Sequence, residues 1–456
     1  MTASIHRPAA RRIPLYGWLT AEAVSLLGTR VSMIAIPWLV LTTTGSPTRT
    51  GLVAFAEITP MVLLKAFGGP LVDRVGPRRM AITADVLSFL AVGLIPLLHH
   101  SGGLTFPLLL GLVAIAGALR GPGDAATTAL IPALVERADV PYERATGLSS
   151  AIERGATMIG AAIAGGLVAT LGAANAVAVD AVSFGVCALL LVLTTRSLEP
   201  GGPDELDTRD SDRREGTDLE ETPSSYAAEL RDGWNFLRRD AVLMSLCVMV
   251  AVTNLLDLAW SAVLLPVWAH SSGAGVGAVG LVFSVWGGAS MLGSFVAAAY
   301  GTRLPRFQTY LIAFLVTGLP RFVLFAIGVP LWAILAMCVV GGASSGFLNP
   351  VLGAVQFERI PRPMVGRVTA LTSALCWSLM PFGGVLGGVL VSGIGLSPAL
   401  LVVGFAYFAA TMSPALIPSF RGMNRQAERG GPEPAEPGSD DRGERRSELA
   451  REPSQA

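Results

Sequence analysis

Twelve apolar runs occupy most of this 456-residue chain. They lie at residues 16–41, 50–72, 80–98, 104–126, 145–170, 174–194, 241–268, 276–299, 307–328, 331–352, 366–391 and 398–418, and each is near or above the roughly 20 residues a helix needs to cross about 30 Å of hydrocarbon. Only 14% of residues are charged, against about 25% in an ordinary soluble domain. Those charges gather in residues 1–12, in 196–240, beyond 420 and in the short loops between runs. The sequence therefore predicts an all-α integral membrane protein of twelve transmembrane helices. No cleavable signal peptide is evident, because the basic segment MTASIHRPAARR leads into a run too long for a signal core. Cys187, Cys247, Cys338 and Cys376 all fall inside apolar runs, so no disulfide framework is expected.

Arginine placement sets the expected orientation. One side collects Arg7, Arg11, Arg12, Arg74, Arg78, Arg79, Arg137, Arg144, Arg303, Arg306, Arg359, Arg362, Arg367, Arg421 and Arg425, while the opposite loops hold only Arg49 with His99, His100 and His270. The arginine-rich side is expected to be cytoplasmic, and an even number of spans places both termini there, in a multi-pass protein of the cell (inner) membrane. The expected organisation is a cytoplasmic tail over 1–15, a six-helix bundle over 16–195, a cytoplasmic linker over 196–240, a second six-helix bundle over 241–420 and a disordered cytoplasmic tail over 421–456. The first part of the linker is polar and charged and reads as disordered. Its second part, YAAELRDGWNFLRRD, sets Tyr226, Leu230 and Leu237 among charges at roughly helical spacing. That pattern predicts an amphipathic helix near 226–239 on the inner membrane surface.

The two halves repeat. At an offset of 223, Arg144/Arg367, Thr146/Thr369, Leu148/Leu371, Ser150/Ser373, Ala151/Ala374, Gly160/Gly383, Gly165/Gly388 and Gly172/Gly395 are identical, which aligns span 5 with span 11. At an offset of 229, Ser32/Ser261, Pro37/Pro266 and Gly51/Gly280 align span 1 with span 7 and the start of span 2 with that of span 8. Chance likeness between Ala/Gly-rich helices is the alternative, but Arg, Thr and Ser agree as well as Gly. Two pseudo-symmetric six-helix bundles form a transporter architecture, in which the substrate is expected near the midplane between the halves and one half rocks against the other.

After span 2 the chain reads Gly69-Pro-Leu-Val-Asp73-Arg74-Val-Gly76-Pro-Arg78-Arg79. This resembles the cytoplasmic 2–3 loop signature of the major facilitator superfamily, G-x-x-x-D-R-x-G-x-R-R, and the resemblance extends over all twelve runs. Within that superfamily SLLGTRVSMIAIPWLVLTTTGS, LIPALVERADVPYERATGL, VDAVSFGVCALLL and GRVTAL look like the drug- and siderophore-exporter branch, which includes enterobactin exporters. The resemblance implies a latch, with Asp73 near the N-terminus of span 11 and the arginines paired to acidic groups, that steadies the outward-open state. A carboxylate favours a helix N-terminus and arginine makes forked carboxylate contacts; a plain basic turn is the other reading. At offset 229 the second-half counterpart is degraded, with Thr302 for Asp73 and Arg303 for Arg74. Span 5 carries Gly155, Gly160, Gly165 and Gly166 at a spacing similar to the family's antiporter motif, with Ala161 where that motif has Pro. Generic helix-packing glycines would read the same way.

Ionisable residues inside spans are costly and usually functional. The candidates are Glu22 and Arg30 in span 1, Glu57 and Lys65 in span 2, Arg120 and Asp124 in span 4, Glu153 and Arg154 in span 5, Asp257 in span 7 and Arg321 in span 9. Asp85 and Asp180 lie nearer span ends and read as structural. Asn254, Asp257, Trp260 and Ser261 share one helix face, which the resemblance places on the central cavity; an interhelical hydrogen-bond cluster is the alternative. Asp257 and Glu57 are the expected proton carriers by depth. Matched depth on antiparallel spans 1 and 2 further predicts ion pairs of Glu22 with Lys65 and of Arg30 with Glu57, unless each charge faces an aqueous cavity alone.

The sole lysine, Lys65, lies in LLKAFGG, so no Walker A sequence exists. No metal-ligand cluster or hydrolase nucleophile motif is present, so no cofactor, metal or enzymatic activity is expected. Zero net charge gives no reason to expect a nucleic-acid partner. The expectation is a monomeric secondary transporter in the bilayer, a multidrug-resistance-type antiporter. It would export a small amphipathic drug, antibiotic or siderophore-like molecule by rocker-switch alternating access, with protons as the coupling ion. An importer or facilitator is the alternative; a membrane enzyme or non-transporting receptor is more remote.

Overall fold

The computed structural model describes residues 8–67, 69–196, 226–300, 304–361 and 364–416. The described residues form helices joined by short turns, with no strand among them. That outcome follows from the solvent, because a backbone in hydrocarbon satisfies its own polar groups only as helix or closed barrel. The first bundle comprises α1 (Pro8–Thr44), α2 (Pro47–Phe67), α3 (Pro77–His100), α4 (Phe106–Ala129), α5 (Tyr142–Leu171) and α6 (Ala173–Thr194). In the second, α7 runs Ala241–Ala259, passes through a π turn at Trp260–Leu264 and resumes as Leu265–Ser271. It is followed by α8 (Gly275–Tyr300), α9 (Arg306–Thr317 and Leu319–Ala326), α10 (Leu331–Ser345, running on as Leu348–Arg359), α11 (Val365–Ser378 and Phe382–Ile394) and α12 (Leu396–Met412).

Eleven of the described helices are long and apolar enough to cross a membrane, and the 21-residue α2 completes the twelve. The surface is apolar where a soluble protein would be polar. Leu97, Phe295 and Trp332 are 68%, 64% and 72% exposed, while Asp180 and Arg321 are buried. Within the first bundle α1 packs on α5 and α6, and α2 packs on α4. Across the bundles, α2 meets α11 and α5 meets α8.

The repeat extends to the backbone. Gly172 and Gly395, paired at offset 223, have φ of +84° and +85° and lead into α6 and α12. Only glycine takes that conformation without strain. The halves also seal against each other through a duplicated glycine contact. A Cβ placed on Gly51 of α2 would fall 2.0 Å from the Gly384 carbonyl oxygen of α11. One placed on its repeat partner Gly280 of α8 would fall 2.7 Å from the Ala161 carbonyl oxygen and 2.8 Å from Gly165 Cα, both on α5. Gly388 likewise sits against Pro47 and Thr48, and the Thr48 hydroxyl meets that of Ser392 at 2.8 Å. All these contacts lie at the arginine-poor end.

The linker helix Tyr226–Arg239 docks on protein as well as facing outward. A Cβ on its Gly233 would reach Leu371 of α11 at 3.0 Å, and Leu237 is fully buried beside Leu243, Cys247, Ile360 and Val368. Asp240 then caps α7, accepting from the Val242 and Leu243 amides at 3.0 Å, and pairs with Arg359 at 3.1 Å. Sequence periodicity put the apolar stripe of this helix on lipid; Leu237 instead joins the second bundle's core.

A methyl group has no room in the seam, and overpacking of this kind costs about 1–3 kcal/mol. Gly51→Ala is therefore expected to open the arginine-poor end. Labelling of a Thr48→Cys reporter by an impermeant maleimide should quicken at least about fivefold, the equivalent of roughly 1 kcal/mol. An unchanged rate would mean that the seam does not govern closure.

Candidate functional site

A cavity of about 490 Å³ opens within the first bundle. It runs from Trp18, Thr128 and Thr146 near the arginine-rich end to Arg120 and Glu153 at mid-span. Its lining includes the carboxylates of Glu22, Asp85, Asp124 and Glu153 against two basic groups, Lys65 and Arg120. Every lining residue belongs to the first bundle. The sequence places the substrate site between the halves, whereas this cavity lies within one of them. Asp85, read from the sequence as structural, is among its lining residues. Asp180 keeps a structural place: it is buried, accepts a short bond from the Ser32 hydroxyl and lies beside Ser183.

Glu22, Thr29, Arg30 and Ser32 of α1 each find a partner on another helix. Glu22 accepts from the Ser149 hydroxyl of α5 at 2.7 Å, and Arg30 donates to Thr157 of α5 at 2.9 Å. Thr29 accepts a short bond from Arg120 of α4, and Arg120 lies 4.0 Å from Glu57 of α2. Lys65 lies 3.8 Å from Asp124 of α4. The expected pairs Glu22–Lys65 and Arg30–Glu57 are therefore replaced. Matched depth fixes only one coordinate of a helix pair. The polar faces of α1 point to α4, α5 and α6, while α2 turns to α4.

In the second bundle, Asp257 of α7 forms a short ion pair with Arg321 of α9. The guanidinium is enclosed by aromatic faces, with Trp260, Trp286, Phe322 and Tyr407 at 5.0, 5.4, 4.6 and 4.8 Å from ring centre to its carbon. Such contacts let a cation shed water at low cost. The Arg321 side chain is 7% exposed and that of Asp257 is 43% exposed, so the pair presents its acid outward. The predicted α7 face does not converge on one opening. Asn254 donates to the Cys376 carbonyl of α11 at 3.0 Å, Trp260 is buried against Phe283 and Phe325, and Ser261 bonds back to the Leu258 carbonyl. Asn254, Asp257 and Trp260 keep α-helical register, and Asp257 and Trp260 both meet Arg321, while Ser261 falls within the π turn.

The signature loop forms a short helix, Gly69–Val75, that turns at Gly76 with φ +88° into α3. Arg78 reaches the end of α6, donating to the Thr195 hydroxyl at 3.0 Å and the Val192 carbonyl at 3.4 Å, while Arg74 and Arg79 are exposed. The Asp73 side chain, and with it the latch, lies outside the described residues, as do Thr302 and Arg303. Nearby, Arg306 grips Glu358 with a fork of 2.6 and 2.7 Å, which holds the Glu358 carboxyl below the usual carboxylate range. Of the α5 glycines, Gly160 abuts Arg30 of α1 and Gly165 abuts Gly280, while Gly155 and Gly166 face open space.

Removing one partner of a fully buried ion pair costs about 3–5 kcal/mol. Asp257 is 43% open, so the expected cost of Asp257→Asn is lower, about 2 kcal/mol. It should appear as a lower thermal midpoint in detergent, partly recovered by adding Arg321→Met. An unmoved midpoint would show that the pair contributes no stability.

A family model described as the Major Facilitator Superfamily matches residues 18–258 and 247–453. A multidrug efflux pump, Tap, of Mycobacterium bovis BCG is 28% identical over 418 residues, covering 91% of this chain and 96% of that protein. Among solved structures, the nucleoside transporter NupG superposes with a TM-score of 0.67 at 12% identity, covering 90% of this chain and 98% of that one. A bacterial homologue of the lysosomal transporter Spinster, captured inward-facing and unoccupied, gives 0.62 at 15% identity, covering 93% and 99%. With twelve helices in two bundles, a repeated backbone and a family match over both halves, the chain belongs to the major facilitator superfamily.

Proposed function

We propose that this chain exports amphipathic organic cations from the cytoplasm by alternating access, in exchange for protons. The observation that carries the reading is the cavity, where four carboxylates face two basic groups. The excess negative charge attracts cations and repels anions, and one of the two cations, Arg120, is already engaged with Thr29 and Glu57. Kinship with a multidrug efflux pump supports export of varied small molecules. The positive-inside rule makes the arginine-rich end, and both termini, cytoplasmic. With the arginine-poor end sealed by glycines, this conformation is inward-open, and rocking about the seam would expose the cavity outside.

The same geometry supports a different choice of proton carriers from Glu57 and Asp257. Glu57 and Asp257 are engaged by Arg120 and Arg321. Among the described residues, neither Glu22 nor Asp85 has a basic group within salt-bridge distance. These two carboxylates are free to trade a proton for the charge of the cargo.

The test uses everted vesicles from cells lacking other pumps, with ethidium as the probe cation and fluorescein as the probe anion. Ethidium is expected to accumulate, to stop when nigericin collapses the pH gradient, and to lose its pH dependence in the Glu22→Gln, Asp85→Asn double variant. Asp257→Asn should retain that dependence. Equal handling of both probes would overturn the cationic cargo, and accumulation indifferent to nigericin would overturn proton exchange.

A further inference from the structure

Lys65 is the only lysine in the chain, and its ammonium touches both bundles. Its Nζ lies 3.8 Å from Asp124 Oδ2 of α4 and 5.7 Å from the centre of the Trp377 ring of α11. The Lys65 and Asp124 side chains are 50% and 49% exposed, and Trp377 is also open to solvent. An ion pair held at this distance in water is weak and readily exchanged. Cation–π attraction is also modest while wet and grows as water leaves. Asp124 and Asp85 both line the cavity and lie within electrostatic reach of each other, and the ammonium pairs with Asp124.

The cavity poses a mechanical problem. All its lining residues belong to the first bundle, whereas transport requires the second bundle to respond to occupancy. A bound molecule shifts a conformational equilibrium only by interacting differently with the two states. A cargo held wholly inside one bundle therefore needs an intermediary. Lys65 lines the cavity and also reaches the second bundle through Trp377.

We propose that Lys65 is the resident cation of this site, and that the exported cation replaces it on Asp124 and frees its ammonium to bind the Trp377 face and draw α2 onto α11. The cargo's cationic group, a single positive charge, takes the Asp124/Asp85 subsite. The displaced ammonium, no longer shared with an acid, gives its full attraction to the ring. Water leaves as the arginine-rich ends of α2 and α11 approach, which strengthens the contact further. An empty cavity leaves the ammonium on Asp124 and the end open; an anion cannot displace it. Lys65 thus acts as a positioning residue that converts occupancy into closure, and the inference rests on the cationic cargo proposed above.

The experiment measures ethidium binding to the purified protein by fluorescence anisotropy, and ethidium accumulation in everted vesicles. Lys65→Gln removes the competitor and the tether together. Its Kd for ethidium is expected to fall about three- to tenfold, while the initial transport rate falls by about tenfold or more. A merely structural lysine would weaken binding and transport alike. Lys65→Arg should recover most of the lost rate, since arginine also pairs with carboxylate and stacks on a ring. Trp377→Leu should slow transport by about tenfold while weakening ethidium binding by no more than about threefold, the share that closure lends to the bound state, and Trp377→Phe should recover part of that loss. In the wild-type protein, reductive ¹³C-methylation preserves the charge and marks the one lysine. Its dimethylammonium signal should move upfield on saturation with ethidium, under the Trp377 ring current, and should not move in Trp377→Leu. Lys65→Gln binding ethidium no tighter, or a methyl signal unmoved by bound ethidium, would overturn the inference. Wild-type protein that does not bind ethidium at all would instead overturn the cationic cargo.

Discussion

The cost of a polar side chain in hydrocarbon organises the first bundle. Helix α1 carries Glu22, Thr29, Arg30 and Ser32, and each is bonded to another helix: to Ser149 and Thr157 of α5, to Arg120 of α4 and to Asp180 of α6. In water such bonds would compete with solvent and contribute little; away from water, leaving any of them unmade is expensive. These contacts hold three helices around α1 at fixed azimuths. The space left among them is the cavity, lined by Glu22 from the pinning set together with Asp85, Asp124 and Glu153.

The second bundle solves the same problem by other chemistry. It buries one arginine and surrounds it with four rings and one carboxylate, and among its described residues no comparable stripe of paired polar groups runs along a single helix. At its arginine-rich end the degraded signature is accompanied by the forked Arg306–Glu358 pair and by the Asp240–Arg359 pair, which joins the linker helix to α7 and α10. The fold is nearly symmetric and the chemistry is not. One half offers charge to a ligand, and the other offers a rigid aromatic body.

Much of the fold was legible in the sequence because its signals are coarse and strong. Apolar run length gave the twelve helices, and the repeated Gly172/Gly395 gave two turns of the same backbone geometry. The signature loop was placed correctly between α2 and α3, although the side chain that matters most to it, Asp73, lies outside the described residues. Side-chain partnership was less legible. Depth along a helix can be counted from sequence, but the direction a residue faces depends on which helices are neighbours. That is why Glu22 and Lys65 were matched with each other rather than with Ser149 and Asp124. The π turn at Trp260–Leu264 was not legible, since nothing in WSAVL announces an added residue. Asp85 was set aside for its position near a span end, yet end positions are where a cavity open to one side begins. Arg321 was noted as a charge without its partner, because a pairing between α7 and α9 leaves no local spacing to read.

The glycine seam has a kinetic corollary. Where two helices meet through side chains, knobs sit in holes, and separating them means unthreading each one past its neighbours. Gly51 on Gly384 and Gly280 on Gly165 present bare backbone to bare backbone. Such surfaces part with little friction and re-close without searching for a register. Side chains enter the seam only beside the glycines, as in the Thr48–Ser392 hydroxyl contact. In the alternating-access cycle proposed above, the polar contacts at the opposite end would therefore set the pace, and the seam would serve as a low-friction bearing on which the two halves turn.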